Sequence, residues 1–305
     1  MERRPHMELR HIRYFLAVAE EMNFTRAAEK LCIAQPPLSR QIQELEAELG
    51  TKLFVRKPHA LQLTEEGILF RQYAQQIVDL VKRSAEDVSE MEKGLQGMIY
   101  LASVEGQAPA LLSEWIAGFH KKYPHVTYSM WNGNSDDVVN RVMKGLCDLA
   151  VILEPHNAEG VESVPVYQEP WVAMIPEGHP LALEQKETIR MEELLPYELI
   201  IPSRESRLQE INGWFGEGEK PIVRCRIAHM LNAYELTKRG VGITIYPAAA
   251  ADLAEHSGIC IRKITEPKVM ASYVLIRNRS RALSRVAQEF FDYVEERTAA
   301  KLVQK

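Results

Sequence analysis

The chain has 305 residues, which is enough for two or three domains at roughly 100–200 residues per domain. Its composition, 46% apolar and 26% charged, is that of an ordinary soluble globular protein. The cysteines form no CxxC pair, which excludes a disulfide framework and a zinc cluster and predicts free thiols in a reducing cytoplasm; they are Cys32, Cys147, Cys225 and Cys260.

The chain is expected to lack both a membrane span and a signal peptide. Its longest uncharged stretches, such as residues 240–251, are shorter than the roughly 18–20 residues that a membrane span requires. Near the start, Glu8 and Arg10 interrupt any apolar segment. We expect residues 1–6 to form a short extension.

The net charge of −5 is unevenly distributed along the chain. Residues 1–64 contain ten Lys and Arg against eight Asp and Glu, a net charge of +2, whereas the remaining residues contain 27 against 34, a net charge of −7. The overall charge therefore disfavours bulk attraction to nucleic acid, and a DNA contact would have to come from the first 64 residues.

The start of the chain predicts two helices. Over residues 8–22 apolar side chains recur with the spacing of one buried helical face, at Ile12, Phe15, Leu16 and Ala19. Thr25 is the expected N-cap of a short second helix over residues 26–31.

A third helix is predicted to open at Pro36 and Pro37, because the first turn of a helix tolerates proline. Gly50 is the expected stop. The buried stripe of this helix consists of Leu38, Ile42, Leu45 and Leu49. Two short runs follow, at residues 53–56 and 61–64, and predict a hairpin.

Thr64 is the expected cap of a long helix over residues 65–96. Its apolar positions follow near-heptad spacing, at Phe70, Tyr73, Ile77, Leu80, Ser84, Val88, Met91 and Leu95. Such spacing is typical of a seam between two helices, so we expect the same helix of a second subunit to be the partner.

From residue 97 onward, strand-like runs alternate with helical runs, which predicts an α/β region with largely parallel sheets. The alternation occurs twice along the chain. The extended runs at 171–176 and 268–277 are the expected crossovers, in which the chain passes from the first lobe to the second and back. We therefore predict two α/β lobes in a clamshell, with lobe I over 97–168 and 269–305 and lobe II over 169–268.

The segment FTRAAEKLCIAQPPLSRQIQ, residues 24–43, resembles the helix-turn-helix signature of LysR-type bacterial transcriptional regulators. The match covers nearly all of residues 7–67, and looser matches occur at 119–126, 145–152, 178–182 and 240–247. The resemblance implies a winged helix-turn-helix over 7–64, a dimerising linker helix over 65–96 and a two-lobed, periplasmic-binding-protein-like effector domain over 97–305. It also implies a homodimer or a dimer of dimers.

The third helix carries the expected DNA contacts, because a helix in the major groove needs donors near its N-terminus. Its candidate base-reading residues are Gln35, Ser39, Arg40 and Gln43, with Pro36 and Pro37 as rigid apolar contacts. The candidate phosphate contacts are Thr25, Arg26, Arg56 and Lys57. A solvated helix face is the alternative interpretation of such residues.

An effector is expected where the carboxyl ends of strands meet the N-termini of helices. This criterion selects Gly106, Gln107, Asn134, Ser135, Ser203 and Arg204. His229 and Tyr246 are further candidates for the wall of the site, and a helix-capping surface residue is the alternative interpretation of His229. Arg204 is the expected partner of a ligand carboxylate, as in a small organic acid. Glu105 would place a negative charge beside it, which argues against a simple carboxylate ligand.

Two other classes of protein were weighed, an enzyme and a stand-alone solute-binding protein. The sequence contains neither a GxSxG nor an HExxH motif, and the GxG at residues 240–242 precedes a predicted strand. Residues 8–64 would have no purpose in a solute-binding protein. The sequence therefore predicts a cytoplasmic, effector-responsive transcriptional regulator that binds double-stranded DNA, with no catalytic residues, metal or cofactor.

Overall fold

The computed structural model describes residues 7–57, 60–89, 95–156, 159–216, 218–253 and 258–303. The chain divides into two units, residues 1–92 and residues 93–305. In chain order the first unit contains α1 (Leu9–Glu21), α2 (Phe24–Lys30), α3 (Gln35–Leu49), β1 (Phe54–Lys57), β2 (Ala60–Leu63) and α4 (Glu65–Ser89).

Phenylalanine side chains form the centre of the first unit. Phe15 of α1 is fully buried and lies 5.3 Å from Phe54 of β1 and 4.8 Å from Phe70 of α4, measured between ring centroids. The stripe predicted on α3 contributes Leu38, Ile42 and Leu45, all buried, but the prediction was wrong for Leu49, which is exposed at the last position of the helix. The hairpin of β1 and β2 is antiparallel and pairs Phe54 with Leu63. These contacts pack the three-helix core against the hairpin.

Helix α2 begins two residues earlier than predicted, and the expected N-cap was wrong. Asn23 caps the helix, since its Oδ1 accepts the backbone N–H groups of Thr25 at 2.8 Å and Arg26 at 3.1 Å. Asn23 has extended backbone geometry, as an N-cap requires, whereas Thr25 already lies inside the helix. The end of α3 agrees with the prediction, because Gly50 adopts left-handed geometry at its C-cap, with φ of 70°.

The apolar seam predicted on α4 is divided between two faces. Phe70 and Ile77 pack against the core of their own unit. The exposed apolar side chains at heptad-like spacing are instead Leu69, Tyr73 and Leu80, which share one face of the helix. Leu95 also falls outside the predicted seam, because it packs against the core of the second unit. Met91, and the side chain of Val88, lie outside the described residues.

The second unit consists of alternating strands and helices. In chain order it contains β3 (Gly97–Ser103), α5 (Ala108–Lys122), β4 (Val126–Asn132), α6 (Ser135–Met143), β5 (Leu149–Leu153), β6 (Val161–Pro176), α7 (Pro180–Leu183), β7 (Thr188–Arg190), β8 (Glu198–Pro202), α8 (Glu205–Asn212), β9 (Ile222–Ile227), α9 (Met230–Lys238), β10 (Ile243–Pro247), β11 (Ile259–Glu266), β12 (Met270–Asn278) and α10 (Arg285–Val303). Short 3-10 helices occupy Met191–Leu194 and Ala248–Leu253.

The strands lie in the order β4, β3, β5, β12, β6, β10, β8, β9, and β11 pairs with β6 and β7. Strand β3 runs parallel to β4 and β5 in lobe I, and β8 runs parallel to β9 and β10 in lobe II. Both crossover strands, β6 and β12, are antiparallel to their neighbours. This order makes two parallel sheets that are joined through β6 and β12.

Strand β6 is one continuous strand of 16 residues, although the sequence predicted two separate runs. Its first part pairs with β12 up to Pro170, and its second part pairs with β10 from Trp171 onward. The backbone continues extended through Pro170, as proline permits. The sequence analysis missed β7, which has three residues, and β11.

The two-layer core of the second unit includes Trp115 and Phe119 of α5 and Phe290 of α10, all buried against the sheet. The rings of Phe119 and Phe290 meet edge to face with centroids 5.0 Å apart. Within the described part of the chain, no helix combines the length and the apolar character that crossing a membrane requires.

Gly67 in the first turn of α4 is expected to be essential for the packing of the hairpin. Its N–H donates to Oγ1 of Thr64 at 2.9 Å, and a Cβ added at this position would lie 2.1 Å from the carbonyl oxygen of Leu53. Gly67→Ala should therefore lower the free energy of unfolding by about 1–3 kcal/mol, despite the higher helix propensity of alanine.

Urea unfolding followed by circular dichroism measures this change. Gly178→Ala is the control, because a Cβ at Gly178 meets no atom within 4 Å. A Gly67→Ala variant at least as stable as the parent protein would show that the backbone yields at this contact.

Candidate functional site

The first candidate site is the exposed face of α3. Pro36, Pro37, Arg40 and Gln43 are exposed, and the remaining predicted readers, Gln35 and Ser39, are half-buried at the same end of the helix. The helix therefore presents Pro36, Arg40 and Gln43 on the side opposite its buried leucine and isoleucine stripe, whereas Gln35 and Ser39 lie nearer to that stripe.

Arg40 is held by an acid one helical turn away. Its Nε lies 3.0 Å from Oε1 of Glu44, and Nε2 of Gln41 donates to Oε2 of the same carboxylate at 2.6 Å. The Arg40 side chain is 80% exposed. An exposed ion pair of this kind contributes little to stability, so Arg40 can exchange its partner for a base or a phosphate at small cost.

The candidate phosphate contacts lie on α2 and β1. Thr25 and Arg26 are both exposed, and Nη2 of Arg26 donates to the backbone oxygen of Glu21 at 2.6 Å. Arg56 and Lys57 lie in β1 of the hairpin, but their side chains are outside the described part of the structure.

Glu46 is a structural residue of this unit that the sequence analysis did not identify. Its buried carboxylate accepts the N–H groups of Leu53 at 2.9 Å and Phe54 at 3.2 Å through Oε1, and its Oε2 lies 2.7 Å from Nζ of Lys52. Glu46 thereby fixes the hairpin to α3. The sequence did contain one indication of this role. Glu46 follows Ile42 by four residues, which places it on the buried side of the helix.

The second candidate site is a cavity of about 170 Å³ between the two lobes of the second unit. Six of the predicted effector residues line it, namely Asn134, Ser135, Ser203, Arg204, His229 and Tyr246. The first two follow β4 in lobe I, and the other four belong to lobe II. The cavity thus lies where the carboxyl ends of the strands of both lobes meet.

Gly106 and Gln107 are not among the lining residues and instead support one of them. The N–H of Gln107 donates to the hydroxyl of Tyr273, which does line the cavity, at 3.2 Å. Gly106 has a φ of 85°, and a Cβ there would lie 2.6 Å from the same hydroxyl. Both residues therefore accommodate Tyr273, and their role toward an effector stays a prediction.

Charged residues of opposite lobes meet across the cavity. Nε of Arg204 lies 3.1 Å from both carboxylate oxygens of Asp136, and its Nη2 lies 2.7 Å from Oδ1. Arg204 precedes α8 in lobe II, and Asp136 belongs to α6 in lobe I. Arg204 thus has a protein carboxylate as its partner, where the sequence analysis expected a ligand carboxylate.

Glu105 makes the second contact between the lobes. Its Oε2 accepts the N–H of Met230 at 2.6 Å, and its Oε1 lies 3.1 Å from Nδ1 of His229. Met230 begins α9, so the carboxylate occupies the N-terminus of a helix in the opposite lobe, where the helix dipole favours negative charge.

Arg207 and Trp171 form the buried wall of the cavity. The Arg207 guanidinium lies 4.9 Å over the Trp171 ring and donates to the Glu210 carboxylate and to the backbone oxygen of Glu154. Burial lowers the pKa of Arg207 from its usual value. Because an arginine pKa is so high, the side chain remains charged at pH 7.

A buried carboxylate connects the crossover strands beside the cavity. Glu169 of β6 accepts the hydroxyl of Tyr273 of β12 at 2.8 Å and the N–H of Ala249 at 2.7 Å. Burial, followed by the negative charge of Glu169, raises the pKa of Tyr273, so the phenol is neutral at pH 7. In the described residues we find no cluster of His, Cys, Asp and Glu arranged to hold a metal ion.

The structure therefore defines a class of protein, a helix-turn-helix unit with a β-hairpin followed by a two-lobed α/β unit with an inter-lobe cavity. Residues 9–68 match the family model "Bacterial regulatory helix-turn-helix protein, lysR family", and residues 92–299 match the model "LysR substrate binding domain". The chain belongs to the LysR family, and it is a DNA-binding transcriptional regulator with an effector-binding domain.

Relatives and solved structures agree with this membership. The regulator YnfL of Escherichia coli K12 is 31% identical over 247 residues, covering 80% of this chain and 83% of YnfL. AlsR of Bacillus subtilis 168 is 29% identical over 275 residues, covering 88% and 89%. The structure of full-length CbnR in complex with its target DNA matches with a TM-score of 0.77 and 27% identity over 95% of this chain and 99% of CbnR.

Proposed function

We propose that the exposed face of α3 reads base edges in the major groove of an operator. Arg40 is suited to bidentate contact with guanine, and Gln35 and Gln43 are suited to adenine. The observation that carries this proposal is the position of Arg40. Its side chain is exposed in the N-terminal half of α3, and binding to DNA would break only its surface ion pair with Glu44. The match to CbnR, whose structure was solved with target DNA, supports it.

Arg40→Ala is expected to reduce the preference for operator over random DNA. A lost bidentate contact costs about 1–3 kcal/mol of discrimination, which is roughly 5- to 150-fold. Fluorescence anisotropy measures both affinities, using an operator selected from a random library by the parent protein.

Arg13→Ala is the matched control, because Arg13 is exposed on α1 and its loss removes the same charge. It should weaken binding to both DNAs equally and leave their ratio unchanged. A ratio that Arg40→Ala also leaves unchanged would contradict base reading by Arg40.

We also propose that four residues contact the phosphates of the DNA and so orient the protein on the duplex without reading its sequence. These residues are Thr25, Arg26, Arg56 and Lys57. These residues flank α3 in the sequence, on α2 and on the hairpin strand β1. Because the net charge is only slightly positive here, one unit binds random DNA weakly, and useful affinity requires two or more units on neighbouring half-sites.

The proposed assembly is a homodimer through α4, or a dimer of such dimers. Leu69, Tyr73 and Leu80 supply the apolar face for a second copy of the helix, being 54%, 49% and 43% exposed. Two recognition helices would then contact half-sites about one helical turn apart.

Leu80→Glu should shift the protein toward monomers, because it places a charge in the apolar face of α4. Sedimentation velocity over a range of concentrations measures the shift. The control is Gln75→Glu, which adds the same charge to an exposed position on another side of the helix. An unchanged dimer in Leu80→Glu would rule out this face as the interface.

The proposal places the effector in the cavity between the lobes. The contacts of Glu105 with α9 and of Asp136 with Arg204 hold the two lobes together in the present structure. A ligand that changes the balance of open and closed lobes would change the arrangement of the DNA-binding units, to the extent that it binds the two states differently.

Ala228→Trp should block effector binding, because Ala228 lines the cavity and an indole would fill much of it. Small molecules that raise the melting temperature of the parent protein should leave that of the variant unchanged. The control, Ala299→Trp, is exposed on α10 and should respond like the parent. If the active compounds still stabilise Ala228→Trp, the effector binds elsewhere.

We propose further that the chain acts by binding and not by catalysis, in the cytoplasm, where its DNA is found. The names of its relatives as transcriptional regulators support this. The carboxylates in the cavity, Glu105 and Asp136, are engaged by the opposite lobe, which also makes them poor acids or bases for a reaction. The double-stranded DNA partner distinguishes the chain from a stand-alone solute-binding protein.

A further inference from the structure

We infer that the effector is a small uncharged molecule, about the size of one substituted ring, and not a carboxylate. This inference rests on the proposed function of the inter-lobe cavity. It follows from the partners that the charged residues of the cavity already have, from the helix N-termini around it, and from its volume.

Arg204 is the first cation of the cavity and is already paired with a carboxylate. Its side chain is only 16% exposed, and it contacts both oxygens of Asp136 at 3.1 Å or less. A ligand carboxylate that paired with the Nε and Nη2 edge of Arg204 would have to replace Asp136. That exchange substitutes one carboxylate for another, gains no net charge pairing and breaks a contact between the lobes.

Arg207 is the second cation and is paired as well. Its side chain is 5% exposed, donates to Glu210 and to the backbone oxygen of Glu154, and covers the ring of Trp171. Drawing this guanidinium toward a ligand would break both hydrogen bonds and remove its contact with the Trp171 ring, which is unfavourable. Among the described residues that line the cavity, these two are the arginines and there is no lysine.

The N-termini of α9 and α6, two of the usual sites for anions at this cavity, are also taken by groups of the protein. Glu105 accepts the first N–H of α9, at Met230. At α6, Oδ1 of Asn134 accepts the N–H of Asp137 at 2.9 Å, and two aspartates occupy the first turn. A bound anion would therefore lie beside Glu105 and Asp136 and be repelled by both.

Apart from His229, which contacts Glu105, neutral groups make up the rest of the lining. Val104, Leu153 and Ile227 are apolar, and Ser203 and Tyr246 contribute hydroxyls. Burial raises the pKa of Tyr246, so its hydroxyl is uncharged at pH 7 and is able to donate or accept. The volume of about 170 Å³ is close to that of a protein cavity of about 150 Å³ known to hold benzene.

The test uses benzamide and benzoate as probes, since the two share one ring and differ at pH 7 by one negative charge. Isothermal titration calorimetry on the full chain measures the Kd of each. We expect benzamide to bind at least about tenfold more tightly than benzoate. Binding of benzoate equal to or tighter than that of benzamide, or no binding of benzamide at about 10 mM, would overturn the inference.

A pair of variants tests the role of charge. Asp136→Asn removes the carboxylate that neutralises Arg204, so the preference should shift toward benzoate by about tenfold. Glu296→Gln removes the same charge from an exposed position on α10 that does not line the cavity, and it should leave the preference unchanged. Equal preferences in both variants would contradict the inference.

Ala228→Trp separates the failure of this inference from the failure of the proposed function. If benzoate binds more tightly than benzamide and Ala228→Trp abolishes its binding, the cavity is the ligand site and only the assignment of charge is wrong. If Ala228→Trp leaves the binding of either probe unchanged, the cavity is not the site and both proposals fail.

Discussion

The continuous strand β6 is the constraint on which the second unit depends. Its first part belongs to the sheet of lobe I and its second part to that of lobe II, with the change of partner between Pro170 and Trp171. Because one extended strand belongs to both sheets, the cleft between the lobes lies next to the point where β6 exchanges β12 for β10 as its partner. Trp171, the first residue after it, forms the buried wall of the cavity, and Glu169, just before it, bonds the other crossover strand through Tyr273.

The same geometry explains why acidic residues dominate the contacts between the lobes. Where strands end and helices begin, exposed N–H groups favour negative charge. Glu105 of lobe I meets such a helix start in lobe II, and Asp136, in the first turn of α6, meets Arg204. The protein thus supplies its own anions at positions where many proteins bind those of a ligand. The net charge of −7 beyond residue 64 is consistent with this use of carboxylates.

Much of the fold was predictable, because periodicity and turn residues are local. Leu38, Ile42 and Leu45 indicated the buried face of α3, and Gly50 its end. What escaped prediction depends on contacts between distant residues. The partner of Arg204 is 68 residues away in sequence, and the hydrogen bonds of Glu46 cross from a helix to a hairpin. Likewise, Gly106 and Gln107 lie after the correct strand, yet they support Tyr273, which enters from β12.

Arginine and carboxylate pairs occur at both candidate sites, and their burial determines what each pair does. Arg40 and Glu44 are neighbours on one exposed helix, so water screens their attraction and DNA is able to displace the carboxylate. Arg204 is mostly buried, and its partner comes from the opposite lobe, so separating the pair means separating the lobes. In the proposed function, a pair of the first kind keeps an arginine oriented until DNA arrives. A pair of the second kind holds the two lobes together until an effector shifts the balance between open and closed lobes, to the extent that it binds the two states differently.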